Sequence, residues 1–117
     1  MRTRPDADSD EFFHREWVRN LFGLAVEELQ RRCEESKKNL PFLLFERYDL
    51  QEAGAHPPLT YDQLGREFNL PTTQVTNYLA FARREFRRIV LEKLRAATGS
   101  DEDFRAEARQ LLGGLGP

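Results

Sequence analysis

Thr73, Asn77, Arg84 and Arg88 share one side of a helix if residues 72–97 are helical at about 100° per residue. Their chemistry suits nucleic acid. Short polar side chains in the first two turns of a helix can approach base edges, and the Asn77 amide offers a donor–acceptor pair matched to adenine. Arginines further along can meet phosphates at the groove wall. Thr76 and Ala80 flank this side, while Val75, Leu79, Ala82, Phe86, Ile89 and Val90 share the opposite, apolar face. A merely solvated face would more often carry mixed Glu and Lys pairs.

A helix, a tight turn and a second helix are expected to hold these residues in place, over residues 59–88 (LTYDQLGREFNLPTTQVTNYLAFARREFRR). Thr60 stands at an N-cap with Gln63 three residues later, the pattern of a reciprocal capping box. Gly65 is small where the second helix must cross closely. Asn69 falls where the turn requires a left-handed residue, which Asn tolerates better than most. Pro71 opens the second helix, where a missing N–H costs nothing. Leu64, Phe68, Leu70, Val75 and Leu79 supply apolar contacts between the two helices. The pattern is that of a helix-turn-helix, although two amphipathic helices around a short turn also occur in helical domains that bind no DNA.

Charge is distributed unevenly. The 117-residue chain carries a formal net charge of −2. Residues 72–97 hold Arg83, Arg84, Arg87, Arg88, Lys93 and Arg95 against only Glu85 and Glu92, whereas the residues before Leu59 hold nine basic and twelve acidic side chains. A local basic patch governs phosphate attraction even where the whole chain is slightly acidic.

Catalytic constellations are thin. His14 and His56 lie far apart, there is one cysteine, and no glycine-rich phosphate loop precedes a helix, so neither enzyme activity nor a metal or cofactor is expected. Cys33 falls on an apolar helix side and reads as a small buried hydrophobe in a reducing compartment. No long apolar run or leader pattern is seen, so a soluble cytoplasmic chain is expected, without membrane contact.

The expected fold is all-α, a helix-turn-helix domain of about five helices with a long recognition helix. Residues 1–9 read as a disordered start. Residues 10–58 read as N-terminal helices packing on the DNA-binding core, with Ser9 or Asp10 capping a first helix that reaches about Lys38. Phe13, Trp17, Leu21, Leu24, Ala25, Glu28, Leu29 and Cys33 follow helical spacing there, and Phe12, Val18, Phe22 and Val26 broaden the stripe. An arc this wide predicts burial on more than one side, with Trp17 as a core anchor. Pro41 opens a short helix (PFLLFERYDL) offering Phe42, Leu43, Phe45 and Leu50 for packing. Residues 51–58 form the clearest loop. The recognition helix, within a 59–97 unit, is expected to run to about Ala97. Gly99 stops it, and Ser100 caps a last helix from Asp101 to Leu112 within residues 98–117. No period-two alternation predicts a sheet.

The segment YDQLGREFNLPTTQVTNYLAFARREFR resembles the fourth conserved region of bacterial RNA polymerase sigma factors, especially the compact extracytoplasmic-function type. The matching residues are Tyr61, Leu64, Gly65, Leu70, Val75, Leu79, Ala82 and Arg83. DEFFHREWVRNLFGLAVEEL and SDEDFRAEARQLL resemble flanking helices of divergent sigma-like factors. Response regulators share much of the central pattern. Pro71 departs from the family's side-chain helix cap, and no counterpart of the promoter-melting region accompanies the match. The chain is therefore expected to be a fragment of a longer factor, or a stand-alone relative that does not start transcription alone.

The resemblance implies promoter DNA as a partner, with Thr72, Thr73, Thr76 and Asn77 contacting bases of the upstream element. It implies that Arg83, Arg84, Arg87 and Arg88 contact phosphates. It also implies docking on the β flap of RNA polymerase, for which Phe81 and Leu91 are the candidates, or packing of those two against the last helix. A dimeric regulator bound to a palindrome, and an interaction module bound by polymerase or an anti-sigma factor without DNA, remain as alternatives.

Overall fold

The computed structural model describes residues 5–51 and 59–112. The fold is all-α. Among the described residues there are five α-helices and no strand: α1 (Pro5–Glu35), α2 (Asn39–Phe45), α3 (Tyr61–Phe68), α4 (Thr72–Ala97) and α5 (Asp101–Leu112). Between α2 and α3 the chain widens into a π-helical turn, Glu46–Gln51.

Several boundaries follow from local chemistry. Helix α1 begins at Pro5, ahead of the expected Ser9 or Asp10 cap, because a proline at the first helical position loses no hydrogen bond. Of the start expected to be disordered, residues 5–9 are thus helical, and residues 1–4 lie outside the described residues. The helix ends at Glu35 rather than Lys38, since Lys37 adopts a left-handed conformation (φ 60°). That reversal lets the Lys38 N–H donate to the Cys33 carbonyl at 2.7 Å, a Schellman-type closure. Helix α2 starts at Asn39, so Pro41 sits inside its first turn instead of opening it. The expected α-helical continuation through residues 46–50 is the π-helical turn. The loop expected over residues 51–58 lies outside the described residues from residue 52 onward, His56 included.

The chain divides into two compact units, Met1–Glu27 with Val90–Pro117, and Glu28–Ile89. In the Glu28–Ile89 unit the core comprises Leu29, Cys33, Phe42, Leu44, Phe45, Leu64, Val75, Leu79, Ala82, Phe86 and Ile89. The Phe45 and Phe86 rings meet at 5.2 Å. Leu44, which the sequence does not single out, is completely buried, whereas Leu43 and Leu50 are exposed. In the other unit the buried set is Leu21, Ala25, Val90, Leu94 and Leu111. There the Ser100 hydroxyl accepts from the Asp103 N–H at 3.1 Å and starts α5, and Arg95 stacks over Phe104 at 4.0 Å and pairs with Asp101.

Helix α1 does not bury the broad stripe expected of it. Leu21, Ala25, Leu29 and Cys33, spaced four apart, are buried, but Phe12 is 50% and Phe13 65% exposed. Trp17 is only half-buried and lines an open cleft with Asn20, Leu21, Leu24, Lys93, Ala96 and Ala97. A strip one residue wide per turn buries a single seam, so the outer apolar residues stay at the surface.

Candidate nucleic-acid interface

The α3–turn–α4 segment is built as its residues dictate. The Thr60 hydroxyl accepts from the Gln63 N–H at 3.0 Å, and the Gln63 side chain accepts from the Thr60 N–H at 2.9 Å. Asn69 closes α3 in the left-handed region (φ 59°, ψ 49°), with its N–H donating to Arg66 and Gly65 carbonyls. The Leu70 N–H then donates to the Gly65 carbonyl at 2.7 Å. Gly65 is needed for the turn itself more than for the crossing of α4. A Cβ there would lie 2.5 Å from the Leu70 carbonyl oxygen, against 3.5 Å from Val75 Cγ2. Pro71 stands at the N-cap, one position before the first helical residue, and its carbonyl accepts from Gln74 and Val75.

The exposed side of α4 opens with uncharged polar residues. Thr72, Thr73, Gln74, Thr76 and Asn77 are all exposed. Thr76 turns its hydroxyl back to the Thr72 carbonyl at 3.1 Å, and the Thr72 hydroxyl lies 3.4 Å from Asp62, itself paired with Arg66 at 2.8 Å. Asp62, Gly65, Arg66, Asn69, Leu70, Pro71 and Thr72 line a cleft of about 320 Å³ at this end. Val75, Leu79, Ala82, Phe86, Ile89 and Val90, the expected apolar face, are buried without exception.

The four arginines part company. Arg84 is exposed and points no charge at an acid among the described residues. Arg88 is exposed and loosely paired with Glu85 at 3.4 Å. Arg87 is half-buried and already engaged. Arg83, expected on phosphate, is exposed and engaged with neighbouring groups of the protein. Its Nη2 and Nε donate to the two Asp49 oxygens at 2.7 and 2.9 Å, and Nη1 donates to the Tyr61 hydroxyl at 3.3 Å. Its guanidinium lies 5.7 Å from the Tyr48 ring, which meets Tyr61 edge-on at 5.0 Å. The hydrogen bonds to Asp49 hold its pKa above the usual arginine value, outweighing the opposing effect of burial. A bidentate guanidinium–carboxylate pair uses the fork that a phosphate would need. Arg83 therefore ties the π-helical turn and α3 to α4.

Phe81 and Leu91 are both half-buried and fall in different compact units. Phe81 lies beneath the Lys38 ammonium, 4.9 Å from its ring centre. Cys33 is free and buried, and burial, with Glu85 adding to it, pushes its thiol pKa up, so it is a poor nucleophile. His14 meets Glu107 at 3.1 Å, a pairing across 93 residues that nothing in the sequence announces. Among the described residues no cluster of His, Cys, Asp and Glu could hold a metal, and no helix is long and apolar enough to cross a membrane. Comparison with family models, curated proteins and solved structures finds no match.

Proposed function

We propose that the protein binds duplex DNA through a helix-turn-helix formed by α3 and α4, with α4 as the recognition helix in the major groove. The observation that carries this reading is the surface at the start of α4: exposed Thr72, Thr73, Thr76 and Asn77 on a rigidly set helix, with Arg84 and Arg88 exposed farther along the same side. Small polar side chains leave room for close approach to base edges, and exposed guanidinium groups meet backbone oxygens. The resemblance to the fourth sigma region extends the reading to promoter recognition in transcription initiation, with RNA polymerase as the protein partner. Arg83 leaves the phosphate set on this reading, while Arg84 and Arg88 stay in it and Arg87 contributes after repacking.

A protein-binding reading, to polymerase or an anti-sigma factor without DNA, draws support from one feature, the exposed Phe12, Phe13 and Leu24 of α1. A salt titration of duplex binding separates the two. On the DNA reading, Arg84→Ala lowers the slope of log affinity against log salt by about 0.9, and Asn77→Ala costs about 1–3 kcal/mol on a preferred site while hardly changing affinity for random sequence. Absence of duplex binding at low salt overturns the DNA reading.

A further inference from the structure

We infer that Lys37 and Lys38, at the corner between α1 and α2, form a second phosphate-binding site that grips the DNA backbone on one wall of the major groove. The inference rests on the DNA-binding reading above. A recognition helix centred in a groove about 12 Å wide has a phosphate strand on each side. At about 100° per residue, one edge of α4 between Thr72 and Arg88 carries Gln74, Tyr78, Phe81 and Glu85, and its one cation is Arg88 at the far end. Its acid, Glu85, is paired with Arg88. Along its first turns, from Gln74 to Phe81, that edge has no charge of its own, and positive charge there comes from outside the helix. Lys37 and Lys38 line a cleft of about 400 Å³ together with Leu40, Pro41, Tyr78 and Phe81, and no carboxylate lines it.

The corner is held in place. Lys37 keeps a left-handed backbone (φ 60°) that a lysine adopts at a cost, and the Lys38 N–H is locked to Cys33 O at 2.7 Å. Lys38 also rests its ammonium over the Phe81 ring at 4.9 Å. Phe81 is one turn beyond Asn77, so the Lys38 ammonium stands beside the surface proposed to read bases. Both lysines are exposed. An apolar floor of Tyr78, Phe81 and Pro41 suits a deoxyribose, and an ammonium rim suits the phosphates on either side of it.

The test is fluorescence anisotropy with a labelled duplex of mixed sequence, titrated with salt. The double variant K37Q/K38Q is expected to lower the slope of log affinity against log salt by about 0.9 for each lysine–phosphate pair removed, with an unchanged thermal melt. The charge-preserving K37R/K38R should keep the slope. The control R105Q/R109Q, which removes the same charge from α5, should leave it within error. A K37Q/K38Q slope equal to wild type, with Arg84→Ala still lowering it, overturns the lysine site and leaves the DNA reading standing. An equal loss in the α5 control overturns it as well, by reducing the effect to net charge. Unchanged duplex affinity combined with lost binding of polyglutamate would assign the corner to acidic protein segments and overturn it too. A wild-type protein that binds no duplex overturns both readings together.

Discussion

Gly65→Ala and Gly23→Ala are the same chemical change within two helices, and the structure requires opposite outcomes. Helix propensity alone favours alanine by about 1 kcal/mol at either position. At Gly23, in the middle of α1, an added Cβ meets nothing within 4 Å, so that preference should appear undiminished. At Gly65 the Cβ would stand 2.5 Å from the Leu70 carbonyl oxygen, a backbone atom that itself follows the left-handed Asn69. Relief requires the turn to open, which strains the 2.7 Å bond between the Leu70 N–H and the Gly65 carbonyl. Overpacking of this kind costs about 1–3 kcal/mol, more than the propensity gain. Urea denaturation of both variants should therefore show Gly23→Ala stabilised by about 1 kcal/mol and Gly65→Ala not stabilised but destabilised, by up to about 2 kcal/mol once the propensity gain is subtracted. Equal stabilisation of the two would refute the reasoning, since it would mean that the turn yields freely and does not set the angle of α4.

Other variants follow from the same geometry. Thr60→Ala removes the hydroxyl half of the capping box, leaving the backbone N–H at position 60 to donate to the Gln63 side chain, and should cost about 0.5–2 kcal/mol by thermal denaturation, with Thr60→Ser restoring most of it. Arg83→Ala should lower stability by about 1 kcal/mol, a figure kept small because the pair is partly solvated, yet leave the salt slope of duplex binding unchanged; Arg84→Ala should do the reverse. Leu44→Ala, at a fully buried site, should cost about 2–5 kcal/mol. Trp17→Ala, at a half-buried one, should fall clearly below the roughly 3–5 kcal/mol of a buried large aromatic, as chemical denaturation would read.

The sequence is most legible where the physics is local. Thr60 with Gln63, Asn69, and Ser100 with Asp103 all act across three residues or fewer, so residue type and spacing suffice to place them. The division of α4 into a buried and an exposed side is equally legible, because a period of 3.6 residues sorts Val75 from Asn77 without knowledge of the partner helix. Interactions over long separations are not legible in this way. Asp49 lies 34 residues before Arg83, and the sequence offers no reason to prefer it to any other acid, so an arginine on the expected basic face proves to be a structural tie. The π-helical turn that carries Asp49 has no local signature either. On α1 the error is of another kind. Apolar residue types around Phe12, Phe13 and Trp17 indicate what could be buried, but burial depends on what lies opposite, and only the Leu21, Ala25, Leu29, Cys33 seam is covered.

The central claim, that the opening turns of α4 meet duplex DNA, is tested most directly by titrating isotopically labelled protein with a duplex and following its backbone amide and side-chain resonances. The largest shifts are expected at Thr72, Thr73, Thr76, the Asn77 amide and the Arg84 guanidinium, with Arg83 and Asp49 little changed. Shifts confined to Phe12, Phe13 and Leu24 of α1, or no shifts at low salt, would contradict it.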